Sequence, residues 1–129
     1  AVYATGIGNV FSPAKISLKG YFLVLIKPDI HVSTPEAYSL VIPEKPDVSI
    51  AESIQRPISE WKACIKNDFE KSVFALHPEI EKIKNNLYAS GAVYASMSGS
   101  GSSVYGIFEN EPVLDFNFDN CFVTGGILK

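Results

Sequence analysis

The chain has 129 residues, 47% of them hydrophobic, which is enough for one domain with a buried core. A formal net charge of −3 with no Lys/Arg cluster excludes the electrostatic footprint of a nucleic-acid binder. No apolar run is long enough to span a bilayer as a helix, no signal peptide is visible, and Cys64 and Cys121 fit neither a metal motif nor a disulfide framework, so two reduced thiols in a cytoplasmic protein are expected.

In chain order, Ala1–Ser12 reads as a β-hairpin. Val2 and Tyr3 lead into Thr5-Gly6-Ile7-Gly8-Asn9, and Val10-Phe11 lead away. A lone two-stranded ribbon is marginal in water, so it needs a sheet to join. The chain opens on Ala1 and its one methionine is Met97, which reads as a piece of something longer. Ser12–Gly20 is loop, with Pro13 and Gly20 as breakers. Tyr21–Lys27 (YFLVLIK) is aromatic and β-branched with apolar residues on both faces, which predicts a central strand buried on both sides and ended by Pro28.

After a loop, Thr34 is the expected cap of a short helix, with Pro35 at its first position and Pro43 as its stop. Pro43, Pro46 and Pro57 break the next stretch, leaving a turn of helix across Ser49–Ile54 and Trp61 as a packing residue. Asn67–His77 is predicted helical. Asn67 and Glu70 have capping-box spacing, and Phe69, Val73 and Leu76 recur at i, i+4 and i+7. Pro78 opens another helix with His77 as its cap, Ile80, Ile83 and Leu87 as its apolar stripe, Lys82 and Lys84 on the solvent side, and Gly91 as its stop. Ala95–Phe108 (ASMSGSGSSVYGIF) reads as strand, glycine loop, strand. Glu109–Asp119 is an acidic turn region with an apolar insert, Val113-Leu114. Cys121–Leu128 is a last strand, weakened by Gly125-Gly126. This order predicts the α+β class, a small antiparallel sheet with helices on one face.

Two stretches carry polar chemistry. The loop Ser98-Gly99-Ser100-Gly101 offers backbone N–H groups and hydroxyls in one place, suited to an anion or a polar substrate, and it lacks the lysine of the phosphate-cradling GxxxxGK[ST] pattern. Thr34 and Tyr38 lie four apart on one helix face, beside Pro35. A hydroxyl next to an aromatic face suits a flat ring with a polar substituent, and a cap with a core tyrosine suits the same residues. His31 lies in a loop after a strand, and His77 sits at a helix boundary. Asp68 and Glu70 are two apart and do not share a face, which fits the positive end of a helix dipole better than acid–base work. No Ser/His/Asp constellation at a recognisable spacing supports nucleophilic catalysis.

The segments IKPDIHVSTPEAY at Ile26–Tyr38, NDFE at Asn67–Glu70, HPEI at His77–Ile80 and MSGSGSSVYGIF at Met97–Phe108 together resemble, in order, the C-terminal half of the GHMP small-molecule kinases. ATGIG at Ala4–Gly8 resembles the hairpin that closes that family's N-terminal domain, which makes residues 1–12 its expected remnant and residues 1–129 otherwise one C-terminal domain. The resemblance implies a ferredoxin-like sheet and transfer of a phosphoryl group from ATP, with Mg2+, to the 2-hydroxyl of a cytidyl-diphosphate methylerythritol. It places Thr34, Pro35 and Tyr38 on the substrate, Tyr38 stacking on the cytosine, and Ser98, Gly99, Ser100 and Gly101 near the active-site cleft. The family's ATP loop, lysine and aspartate base belong to the N-terminal domain and have no counterpart here. No catalytic residue, no bound cofactor and no kinase activity are therefore expected of this chain alone, and the N-terminal domain is its expected partner. The family's last helix has no clear counterpart in Glu109–Asn120, and an apolar sheet face left uncovered there favours self-association. The alternatives are a GHMP kinase of homoserine or mevalonate type, and a ferredoxin-like regulatory or RNA-binding module. The lack of a basic-aromatic strand argues against RNA.

Overall fold

The computed structural model describes residues 1–43, 46–117 and 119–129. Strands β1 (Val2–Thr5) and β2 (Val10–Pro13) form the expected antiparallel ribbon, separate from the main sheet. β3 (Phe22–Pro28) is followed by the helices α1 (Thr34–Tyr38), α2 (Ile50–Ser53), α3 (Ile58–Cys64), α4 (Phe69–Leu76) and α5 (Pro78–Ala89). Strands β4 (Tyr94–Met97), β5 (Val104–Phe108) and β6 (Cys121–Ile127) complete the chain. The main sheet has the order β4-β5-β3-β6 with every neighbour antiparallel. Its first strand in sequence lies between its third and its last, which is the ferredoxin-like layout of an α+β domain.

β3 is central, as its apolar run predicts, because it pairs with β5 on one side and β6 on the other. Side chains alternate between faces. Val24, Ile26, Ala95, Met97, Val104 and Phe108 point to one face and meet Val73 of α4 and Ile80, Ile83 and Leu87 of α5. The periodic stripe of α5 is thus the roof of the main core, and Gly91 follows its end. The expectation for α4 holds at Val73, which is fully buried, but Leu76 is 46% exposed.

The other sheet face is not buried as completely as the sequence of β3 predicts. Leu23 and Leu25 remain half-buried there. Its cover comes from α3, which the proline-broken stretch conceals. Ile58 and Trp61 share one side of that helix and, with Ile65 just past its end, pack with Tyr94, Ile107 and Leu23 into a second cluster. Trp61 meets the Tyr94 ring edge-on at 5.5 Å and donates from Nε1 to the Arg56 carbonyl. Trp61 is the packing residue its sequence position implies.

The last strand runs through its two glycines. Gly125 and Gly126 pair in register with Val24 and Leu23. A Cβ on Gly125 would fall 2.8 Å from the Leu23 carbonyl oxygen and 2.8 Å from the Phe22 ring, so the close approach of the two strands requires glycine here. Among the described residues, 109–120 carry no helix, as the sequence pattern anticipates. Leu114 and Cys121 pack on the main core from this side, while Val123 and Ile127 of the edge strand stay exposed. Both cysteines are free thiols.

Candidate functional site

α1 begins one residue earlier than the sequence pattern implies. Ser33, not Thr34, is the N-cap: its Oγ accepts from Glu36 N at 3.3 Å, and Glu36 Oε2 accepts from Ser33 N at 3.2 Å. Pro35 follows in the first turn, and the helix ends at Tyr38, well before Pro43. Ala37 turns inward and its carbonyl accepts from Ser72 Oγ of α4. Glu36 Oε1 lies 2.9 Å from His77 Nε2, and this hydrogen bond, with the one from Ser33 N, holds the Glu36 carboxyl below its usual range. α1 is therefore pinned to α4 by its inner side. Thr34, Pro35 and Tyr38 are left facing outward, with Tyr38 60% exposed. The Tyr38 ring rests against the edge of Phe69, with centroids 4.8 Å apart at 77°.

The glycine loop joins β4 to β5. Gly99 and Gly101 have φ of 56° and 90°, a region open to glycine at little cost. At Gly101 a Cβ would also strike Met97 Sδ at 2.9 Å. Ser98 N donates to Ser103 O at 2.8 Å and Gly101 N to Ser98 O at 3.0 Å, which closes the loop. Among the described residues, the N–H groups of Gly99, Ser100 and Ser102 have no protein acceptor. These are the donors available to an anion or a polar substrate.

Gly101, Ser102 and Ser103 line a cleft of about 310 Å³ with Lys27 and the Asp29–Val32 loop. His31 is exposed on the wall of this cleft. Thr34, Pro35 and Tyr38 do not line it. The two candidate groups meet instead through the start of α4. Asn67 Nδ2 donates to Met97 O and Gly99 O, each at 2.8 Å, and Asn67 Oδ1 accepts from Phe69 N at 3.0 Å. Phe69 in turn carries Tyr38.

The Asn67–Glu70 capping box expected from spacing does not form. Glu70 is 9% exposed and turns into the sheet. Its Oε1 accepts from Met97 N at 2.9 Å and Ser96 Oγ at 3.2 Å, and its Oε2 lies 2.6 Å from Lys84 Nζ. Lys84 is thus drawn inward rather than left on the solvent side. Asn67 and Glu70 are the site residues that pattern reading assigns to the wrong task, because N-x-x-E spacing looks the same whether the side chains meet each other or a distant strand. They also border a cavity of about 620 Å³, together with Lys66, Lys71 and Lys84.

A family model described as GHMP kinases C terminal matches residues 49–116. The chain is 58% identical over 125 residues to a 4-diphosphocytidyl-2-C-methyl-D-erythritol kinase of Bacteroides fragilis, covering 95% of this chain and 46% of that protein. It is 55% identical over 130 residues to the protein of the same name in Parabacteroides distasonis, covering 99% of this chain and 48% of that protein. The chain therefore spans about half the length of the curated relatives it matches. A crystal structure of 4-(cytidine 5'-diphospho)-2C-methyl-D-erythritol kinase superposes with a TM-score of 0.62 at 30% identity, covering 82% of this chain and 40% of that one. Homoserine kinase from Cytophaga hutchinsonii superposes with a TM-score of 0.55 at 16% identity, covering 85% of this chain and 39% of that one, a likeness of fold alone.

Proposed function

The chain belongs to the GHMP kinase C-terminal family, and on that premise we propose that it is the substrate-side domain of an ATP-dependent kinase. The kinase phosphorylates the 2-hydroxyl of 4-diphosphocytidyl-2-C-methyl-D-erythritol in non-mevalonate isoprenoid biosynthesis. The observation that carries this reading is the 58% identity along 95% of the chain to the kinase of that name from Bacteroides fragilis. In this reading residues 1–12 are the closing ribbon of an N-terminal domain and the protein works in the cytoplasm. No helix among the described residues is long and apolar enough to cross a membrane.

The following roles are part of the same proposal. Thr34, Pro35 and Tyr38 form the outward face that meets the acceptor, and Tyr38, backed by Phe69, offers its ring to the cytosine. In this reading the loop Ser98, Gly99, Ser100 and Gly101, which reaches the cleft at Gly101, turns its free N–H groups to a polar or charged part of the substrate. ATP and Mg2+ fall to the N-terminal domain. The glycine loop holds no lysine of the phosphate-cradling kind. Phosphoryl transfer depends mainly on positioning and charge stabilisation, so a domain that orients the acceptor contributes to rate without supplying a catalytic group.

The test is a chimera in which residues 1–129 replace the matching half of the Bacteroides fragilis kinase. It is expected to phosphorylate the cytidyl acceptor and neither homoserine nor mevalonate. Tyr38→Ala in that chimera is expected to raise the acceptor KM about tenfold, as loss of one base–aromatic stack of ~1–3 kcal/mol predicts, while the ATP KM stays unchanged. A chimera active only on homoserine or mevalonate would replace the reading. Binding of a free amino acid by the chain, with no affinity for cytidine nucleotides, would favour the regulatory module.

A further inference from the structure

We propose that Asn67 is a positioning residue that sets the distance between the glycine loop and the Tyr38 face, with Glu70 anchoring the strand end from which the loop departs. The inference rests on the functional reading above for its consequence, but not for its geometry. One carboxamide makes contacts on both sides. Its Nδ2 spends both protons on the loop, at Met97 O and Gly99 O, each 2.8 Å away, across 30 and 32 residues of chain. Its Oδ1 takes Phe69 N at 3.0 Å, and the Phe69 ring supports Tyr38 at 4.8 Å. Asparagine suits this post because it carries two donors and an acceptor on one rigid plane. Aspartate would present oxygen to two carbonyls, and serine would not offer two donors.

Glu70 fixes the other side of the same strand end. Met97 N donates to Glu70 Oε1 while Met97 O accepts from Asn67, so both backbone polar groups of Met97 are held by α4 and by the residue two before its start. Lys84 balances the buried charge at 2.6 Å from Glu70 Oε2. The loop itself has few bonds of its own, Ser98 N to Ser103 O and Gly101 N to Ser98 O. Its placement relative to α1 is therefore decided from outside, by Asn67.

The first measurement needs no substitution. In the NMR spectrum of the wild-type chain, the Asn67 side-chain amide protons are expected to exchange with solvent at least tenfold more slowly than those of an exposed asparagine such as Asn110. Exchange as fast as that of Asn110 overturns the proposal. Asn67→Asp and Asn67→Ser both keep an acceptor for Phe69 N, the first removing both donors and the second leaving only one. In each, the amides of Ser98 and Gly101, which bond within the loop, are expected to lose protection while α5 keeps its own. In the chimeric kinase each is expected to lower kcat about 100-fold, the scale of an ångström misplacement, with the ATP KM unchanged. Loop protection or kcat equal to wild type in both variants overturns it. A wild-type chimera inactive on the cytidyl acceptor would sink the functional reading instead, and the exchange result would still stand or fall by itself.

Discussion

At the scale of single residues, the molecule depends on polar side chains that reach across long stretches of sequence. Glu36 is the clearest case outside the glycine loop. It caps its own helix through Ser33 and grips His77 at 2.9 Å. Its carboxyl is held below the ordinary value of 4.5, first by the His77 hydrogen bond and then by Ser33 N. A carboxyl with a lowered folded-state pKa stabilises the fold fully above its unfolded-state value and loses that contribution as pH falls through its folded-state value. Wild type and Glu36→Gln are therefore expected to differ most in urea midpoint near neutral pH and to converge below pH 4.5. A difference independent of pH would show that the His77 contact contributes nothing through charge. Ser33 was within reach of pattern reading, since S-x-x-E marks a capping box. Thr34 competes for the role because it stands directly before Pro35, and the two caps differ by one residue. The inward turn of Glu70 was not within reach, because its partners on β4 lie 26 and 27 residues downstream.

At the scale of elements, α5 was legible and α3 was not. Ile80, Ile83 and Leu87 form a repeated stripe bounded by Pro78 and Gly91, so local chemistry and packing agree. α3 is two turns long, begins after Pro57 without a side-chain cap, and is held by what it covers rather than by its own propensity. Trp61 is the centre of that cover, 5% exposed against Tyr94 and Ile107. Trp61→Ala is expected to lower the unfolding free energy by about 3–5 kcal/mol, as read from denaturant midpoints. A loss below ~1 kcal/mol would mean that the second cluster adds little to packing. The glycine pair of β6 taught the opposite lesson to its propensity. In isolation it reads as weakness, whereas beside Phe22 and Leu23 its first member, Gly125, is a requirement of the pairing.

At the scale of the whole molecule, the sheet ends in an edge strand that little covers. Phe122, Val123 and Ile127 are 64%, 40% and 67% exposed, and an apolar edge invites pairing with another strand. The purified chain is expected to self-associate in sedimentation velocity as concentration rises, and Val123→Lys is expected to shift it towards monomer. A single concentration-independent monomer would contradict this. The amino-acid sequence alone determined the α+β class, the central place of β3, the glycine hairpin, α5 and the family likeness, because each rests on periodicity, on breakers or on ordered local motifs. Only tertiary structure decided that Ser33 caps α1, that α3 backs the second face, that Glu70 and Lys84 turn inward, and that Asn67 ties the glycine loop to the Tyr38 face. Those outcomes depend on partners brought together from distant segments, and such partners leave no mark on the spacing of neighbouring residues.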